Sequence, residues 1–376
     1  MSKVPFYEGV KKNFGFGFMR LPMIGEEVDL EQVTKMVDLF MEKGFNYFDT
    51  AHPYLEGKSE IALRESLVKR YPRDSYFLVN KLSEEYFTKE EDIRPLFEVQ
   101  LEACGVEYFD LYLMHSQRRE NYEKFKRCRG YETAFELKKE GKVKHVGLSF
   151  HDRPEVLEQM LNEYPDIEVV QIQFNYLDYE DAAIEAKNCY DVCVKYNKPV
   201  IVMEPVKGGN LVNLPEEAKK VFDDLQGGSY ASYAIRYAAS FDQIVMVLSG
   251  MSNMEQIEDN LSFMQEFEPI KDFELEAIRK VCDIIRAQNL IQCTGCRYCV
   301  EGCPKNILIP ELFADFNEWK QYAENGNSTW YYDVHTDTNG KISDCVKCGK
   351  CEKACPQHLK IRDLLVEVET LFESMK

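Results

Sequence analysis

The chain has 376 residues, of which 45% are hydrophobic and 30% charged, and a formal net charge of −19. That composition is ordinary for a soluble globular protein and long enough for a barrel-sized domain plus a smaller one. The acidic balance argues against nucleic acid as a partner, because nucleic acid needs a basic surface; it is read as a solvated acidic surface, compatible with a basic protein partner. No apolar stretch approaches the ~20 residues that span a bilayer. The opening segment MSKVPFYEGVKKNFG has no apolar signal core. No membrane association is therefore expected, and a cytoplasmic setting with reduced thiols is.

Short β-type runs alternate with helical patterns from about residue 14 to 265. The first run, 14–21, alternates Phe with Gly and is the weakest strand pattern. Further strands are predicted at 45–48, 76–79, 109–114, 143–148, 169–172, 200–203 and 244–248, several of them near-continuous apolar runs as in parallel strands buried on both faces. Between them, 30–43 places Leu30, Val33, Val37, Phe40 and Met41 on one face. Residues 58–70, 90–104, 131–140, 154–163, 180–196, 228–240 and 254–265 read as helices too. Eight strand–helix units predict an α/β fold, a (β/α)₈ TIM barrel over residues 1–272. The alternative, an open doubly wound sheet, lacks a GxGxxG after its first strand. A connecting helix is expected at 273–290, and a small cysteine-rich domain, ferredoxin-like and iron–sulfur by its cysteine spacing, at 291–376.

Eight of the thirteen cysteines lie in that last segment, in two copies of one spacing: Cys293, Cys296, Cys299 and Cys303-Pro304, then Cys345, Cys348, Cys351 and Cys355-Pro356. The C-x₂-C-x₂-C-x₃-C-P run holds cubane iron–sulfur clusters, and its fourth cysteine ligates the other cluster of a pair. Two [4Fe-4S] clusters are expected, one on Cys293, Cys296, Cys299 and Cys355, the other on Cys345, Cys348, Cys351 and Cys303. Paired zinc ribbons are the alternative, but zinc favours C-x₂₋₄-C pairs split by longer spacers. The scattered Cys104, Cys128, Cys189, Cys193 and Cys282 read as small core or surface residues. About forty residues separate the runs and include Trp319, Tyr322, Trp330, Tyr331 and Tyr332, an expected docking surface.

The second strand leads into Asp49-Thr50-Ala51, with Tyr54 five residues after the aspartate. Lys81 ends the third strand and His115 the fourth. At these positions, over about residues 5–270, the chain resembles the aldo-keto reductase superfamily. With the cysteine runs it resembles the bacterial and archaeal aldo-keto reductases that carry a C-terminal ferredoxin-type domain. The resemblance implies an oxidoreductase in which Tyr54 gives a proton to a carbonyl oxygen. Lys81 would lower the Tyr54 pKa, Asp49 would hold Lys81, and His115 would orient the carbonyl. It implies Ser149 and Gln171 at a nicotinamide carboxamide, although Phe150 stands where an asparagine is usual. It also implies Ser249, Gly250, Ser252, Gln256 and Asn260 at a cofactor phosphate, where a helix N terminus suits an anion. No Lys or Arg lies between Ile244 and Ile270, so NADH, a flavin such as FMN, or a cation from elsewhere is expected; Lys207 is one candidate.

Cubane clusters move single electrons and nicotinamide moves a hydride, which leaves three readings. The chain is an NAD(P)H-dependent reductase of a small carbonyl (or oxidant of an alcohol); a flavin-containing barrel exchanging electrons with ferredoxin or flavodoxin; or an electron carrier or redox sensor whose barrel is idle.

Overall fold

The computed structural model describes residues 7–181, 184–288, 290–322, 328–337 and 339–375. Residues 1–6, 182–183, 289, 323–327, 338 and 376, and the side chains of residues 321 and 322, lie outside the described residues; parts of the expected 180–196 and 273–290 helices fall among them. Eight strands, β1 (Phe14–Gly17), β2 (Tyr47–Asp49), β3 (Phe77–Leu82), β4 (Phe109–Gln117), β5 (Val143–Phe150), β6 (Val169–Gln173), β7 (Val200–Met203) and β8 (Ile244–Gly250), close into a barrel. They follow sequence order, every pairing is parallel, and β1 lies between β8 and β2. The fold is the expected (β/α)₈ barrel, not an open sheet.

The alternation in the first strand has a packing cause. Phe14 and Phe16 face outward with Phe18, Phe40, Phe45 and Phe48, with the Phe16 and Phe40 rings 5.8 Å apart and those of Phe40 and Phe48 5.2 Å apart. Gly15 points inward, where a Cβ would meet Leu248 at 2.6 Å and Tyr47 at 2.7 Å. Glycine lowers strand propensity, but only glycine leaves room for Tyr47 inside the barrel. The strand stops at Gly17, four residues before the expected end. Tyr47, Phe77, Leu111, Leu113, Val169 and Ile201 fill the interior, and Tyr7 packs beneath them against His145 at 4.0 Å.

Helices α1 (Leu30–Glu42), α2 (Lys58–Leu63), α3 (Ile93–Cys104), α4 (Arg119–Arg127), α5 (Gly130–Lys139), α6 (Pro154–Glu163), α7 (Ala186–Lys195), α8 (Glu216–Asp223), α9 (Tyr230–Ala239) and α10 (Met254–Met264) follow or join the strands. Four depart from the sequence expectations: α2 gives way to a π-helical turn over Arg64–Val68, α7 begins at Ala186 rather than near 180, and α4 and α8 were not expected, their charge-rich sequences burying only Asn121, Tyr122 and Phe125, and Ala218 and Phe222. Then come α11 (Asp272–Ala287), α12 (Tyr298–Glu301), α13 (Ile309–Tyr322), α14 (Ser328–Asp337), α15 (Lys350–Ala354) and α16 (Ile361–Glu373). Among the described residues no helix is long and apolar enough to cross a membrane.

By contacts the chain divides into two units, Met1–Val206 with Ala231–Lys271, and Lys207–Tyr230 with Asp272–Lys376. One boundary falls between Lys271 and Asp272. Residues 207–230, expected inside the barrel, sort with the C-terminal unit because α8 packs on α11 and the 207–210 loop packs on the first cysteine run. That unit is helical, with a core of Ile307, Leu312, Phe313, Phe316, Leu365 and Val368, and with Tyr332 stacked on Phe372 at 4.2 Å. Trp330 and Tyr331 are exposed.

Candidate active site and thiol cavities

Parallel strands bring their C-terminal ends to one face of a barrel, and the predicted residues sit there. Asp49 is the last residue of β2, and Lys81, His115, Ser149, Gln171 and Ser249 lie near the ends of β3, β4, β5, β6 and β8. Lys81 Nζ lies 2.5 Å from Asp49 Oδ1, donates to the Thr50 carbonyl at 2.8 Å, and stands 4.8 Å from the centre of the Tyr54 ring. The Tyr54 ring meets the His115 imidazole edge-on at 5.7 Å. Asp49, Tyr54, Lys81 and His115 therefore form one cluster.

Burial governs the electrostatics. It pushes Asp49 up and Lys81 down, and each is opposed by the other's charge, so the two behave as one pair. Burial also pushes Tyr54 well above the usual phenol value, helped by the negative charges of Asp49 and Glu204. Desolvation therefore dominates at Tyr54 and outweighs the lowering expected from Lys81. Burial, then the charges of Lys81, His151 and Arg118, hold His115 well below the usual imidazole value. It is neutral, with Nδ1 bonded to Ser83 Oγ at 2.6 Å.

A buried polar brace under this cluster went unread in the sequence. Thr50 Oγ1 bonds Ser59 Oγ at 2.7 Å, Ser59 Oγ donates to the Phe18 carbonyl at 2.9 Å, and Glu60 accepts from Asn80 at 2.8 Å and pairs with His52 at 2.7 Å. These groups fix the loop that presents Tyr54. The signal was available: polar residues buried in an otherwise apolar core need partners.

Ser149 and Gln171 are register partners on β5 and β6. Ser149 Oγ accepts from the Ser116 N–H at 2.7 Å, and Gln171 Nε2 reaches Asp49 Oδ2 at 3.5 Å. Asn253 caps α10 by accepting from the Gln256 N–H, the Gln256 side chain accepts from the Ser252 N–H at 2.7 Å, and Asn260 donates to Ser249 at 3.2 Å. Ser252 Oγ donates to the Arg20 carbonyl at 2.8 Å, and the Arg20 side chain lies along Gly250, 3.2 Å from where a Cβ would sit. Arg20 is a cation at this loop that the cation-poor 244–270 segment could not reveal. Lys207 has other neighbours: it is buried in the second unit, 3.0 Å from Gln357 Oε1.

The two cysteine runs share their backbone as well as their spacing. Gly295 and Lys347, Arg297 and Gly349, and Asn306 and His358, each pair shifted by the 52 residues from Cys293 to Cys345, all have positive φ. One cavity of about 310 Å³ is lined by Cys293, Cys296, Cys299 and Cys355; another of about 360 Å³ is lined by Cys303, Cys345, Cys348 and Cys351. Burial raises the Cys355 thiol, while N–H groups of Leu359 and Gln357 and the charge of Lys207 act against it. Among the described residues no three His, Cys, Asp or Glu side chains converge on one metal ion. Each set of thiols rings a volume, whereas zinc draws four sulfurs to ~2.3 Å of a single point. The donor chemistry and the cavities fit a sulfide-bridged cluster. Cys104, Cys128, Cys189, Cys193 and Cys282 are buried apart from both cavities.

The model of the aldo/keto reductase family matches residues 13–283, and that of a 4Fe-4S dicluster domain matches residues 292–359. The NADH-specific methylglyoxal reductase of Escherichia coli (strain K12) is 24% identical over 261 residues, covering 58% of this chain and 78% of that protein. The solved aldo-keto reductase AKR11C1 from Bacillus halodurans, in its holo form, superposes with a TM-score of 0.59 at 24% identity, covering 72% of this chain and 92% of its own. An aldo-keto reductase from Klebsiella pneumoniae in complex with NADPH gives 0.59 at 17%, covering 72% and 95%. The barrel thus has the fold of these reductases, and the chain belongs to the aldo/keto reductase family and carries a 4Fe-4S dicluster domain.

Proposed function

We propose that the chain reduces a small carbonyl compound at Asp49, Tyr54, Lys81 and His115, with nicotinamide as hydride carrier and two [4Fe-4S] clusters as one-electron centres. The observation that carries this is the buried Lys81 ammonium beside both Asp49 and the Tyr54 ring, with a neutral imidazole edge-on to that ring. Bound nicotinamide supplies or accepts the hydride. Tyr54 keeps its hydroxyl proton because burial disfavours the phenolate, and so holds the proton that a carbonyl oxygen takes up. Lys81 stabilises the phenolate once that proton leaves, and Asp49 keeps Lys81 charged in a site that excludes water. His115, neutral and fixed through Ser83, orients the carbonyl.

Ser149 and Gln171 suit the carboxamide. Ser249, Gly250, Ser252, Gln256 and Asn260 at the α10 N terminus suit a phosphate, with Arg20 as the nearby cation. The relatives' printed activities, reduction of methylglyoxal with NADH and binding of NADPH, support the choice of nicotinamide and of a small carbonyl. Cys293, Cys296, Cys299 and Cys355 would hold one cluster, and Cys303, Cys345, Cys348 and Cys351 the other. The clusters would supply one-electron transfer, for which a ferredoxin or flavodoxin is the fitting partner.

The test is oxidation of NADH and of NADPH by anaerobically purified protein with methylglyoxal as the probe carbonyl. Tyr54→Phe should lower turnover at least ~100-fold while binding of the nicotinamide, followed by calorimetry, is retained. Unchanged turnover in Tyr54→Phe overturns the proposal. Free flavin in an acid extract of the purified protein would reassign the barrel to a flavin.

A further inference from the structure

Lys207 is the one residue offered by the sequence as a cofactor cation that the fold places among the cysteines. It is 2% exposed, and its Nζ donates to Gln357 Oε1 at 3.0 Å; Gln357 is itself buried and lines the cavity of Cys293, Cys296, Cys299 and Cys355. Three further features hold it there. Lys207 has φ near 49°, a left-handed conformation that a side-chain-bearing residue adopts only where its surroundings impose it. The next residue, Gly208, approaches so closely that a Cβ would lie 2.4 Å from the Thr294 carbonyl. Asn210 Nδ2 donates to the Cys293 carbonyl at 2.9 Å. The 207–210 loop is thus fitted to the first cysteine run at two points, Thr294 and Cys293, and to the end of the second at Gln357.

The internal repeat shows what this loop adds. The residue two beyond the last cysteine is Lys305 in the first run and Gln357 in the second. Lys305 lines the cavity of Cys303, Cys345, Cys348 and Cys351 directly and is exposed. Gln357 lines the other cavity and carries no charge, but it holds a lysine brought from 150 residues away. The remaining cations at the two cavity walls are exposed: Arg297 pairs with Glu311, Arg362 pairs with Glu352 at 2.7 Å, and Lys350 faces solvent. Solvent and salt screen exposed charges, and a buried one keeps its field. Reduction adds one electron and one negative charge to a cluster and its four thiolates, so a fixed cation nearby favours the reduced form.

We propose that Lys207, recruited through Gln357, is the positive charge that sets the reduction potential of the cluster on Cys293, Cys296, Cys299 and Cys355, raising it relative to the same cluster without that charge. The inference rests on the ligand assignment above. The test is an anaerobic redox titration of the full-length protein with its full iron complement, reading each cluster by electron paramagnetic resonance.

In Lys207→Met, one cluster's reduced-to-oxidised ratio at fixed solution potential should fall at least tenfold, 59 mV for one electron. The other cluster should hold within threefold, and Lys207→Arg should restore the first. The shift should persist at high salt. Should Lys207→Met fail to take up iron, Gln357→Glu carries the test: a carboxylate against the lysine should lower the same cluster's potential. Unchanged potentials in the iron-loaded variant, or equal shifts of both clusters, overturn the role of Lys207. A wild-type protein without two one-electron centres overturns the cluster reading instead.

Discussion

Asp49→Asn puts the charge pair at the barrel mouth under test. Asp49 Oδ1 and Lys81 Nζ are 2.5 Å apart, and Lys81 is 1% exposed. At an effective dielectric of ~20, unit charges at this distance attract by ~7 kcal/mol. Desolvation takes back several kcal/mol for each ion, so the intact pair is worth little net, yet removing one member strands the other. Without Asp49, Lys81 either keeps its proton unpaired or loses it. Losing it at pH 7 costs ~1.36 kcal/mol for each unit below the ordinary lysine value of 10.5, a ceiling of ~5 kcal/mol. The asparagine and the Thr50 carbonyl still accept from Nζ, so the expected loss is ~3–4 kcal/mol. Burial lowers Lys81 in the folded state, and a group so lowered contributes stability that is present above its unfolded value and lost as pH falls through the folded one. The variant's deficit should therefore be largest near neutrality and narrow as pH rises towards 10.5. Urea unfolding followed by far-UV circular dichroism reads it. Fluorescence of Trp319 and Trp330, the only tryptophans and both in the second unit, provides the control. Adding Lys81→Met should recover at least ~2 kcal/mol by removing the stranded charge. A deficit under ~1 kcal/mol, or one that does not change between pH 7 and 10, refutes the reasoning.

Gly147→Ala should destabilise the barrel by at least ~2 kcal/mol, because the added Cβ falls 2.5 Å from Val169 Cγ1 and 2.6 Å from the Val169 carbonyl, a strand backbone that cannot step aside; a change within ~0.5 kcal/mol in the urea midpoint would show that β5 and β6 are spaced otherwise. Lys347 and Gly349 both have positive φ in the second cysteine run. Lys347→Gly should therefore stabilise, and Gly349→Ala destabilise, by ~1 kcal/mol each, read as the urea midpoint for loss of the cluster's visible absorbance; changes of the same sign would contradict it.

The barrel was legible because parallel strands covered on both faces read as apolar runs. Residues 169–172, 200–203 and 244–248 became β6, β7 and β8 with little change. The first strand was harder for a reason the packing supplies: Gly15 is imposed by Tyr47 and Leu248 across the barrel, a demand between residues far apart in sequence. Asp49, Tyr54, Lys81 and His115 were readable as types at strand ends and do come together. The direction of the shift at Tyr54 was not readable, since it depends on how deeply the phenol is buried. Arg20 was unreadable at the β8 loop because parallel pairing of β1 with β8, not sequence proximity, brings it there. The crossed grouping of thiols was legible, because in such a run the fourth cysteine serves the other cluster of a pair, and the cavity linings group the thiols in that way.

The path of residues 207–230 bears on what the second domain is. An appended ferredoxin-type segment would begin after the last barrel element and leave the barrel continuous. Here the chain passes into the second unit after Val206, returns at Ala231 for α9, β8 and α10, and passes over again at Asp272. Helix α8 buries Ala218 and Phe222 and packs on α11, which buries Ala277, Ile278 and Val281. The loop before α8 supplies Lys207 to Gln357 and Asn210 to Cys293. The second unit is therefore assembled from two segments, one of them lying in sequence between β7 and β8. Residues 293–361 line the first cavity by themselves, and the 207–210 loop backs two of them, Gln357 and Cys293, from the other segment. Selection on the β7–α9 connection thus acts on the backing of a cysteine cavity as much as on a barrel, which is a physical reason for the two domains to have stayed in one polypeptide.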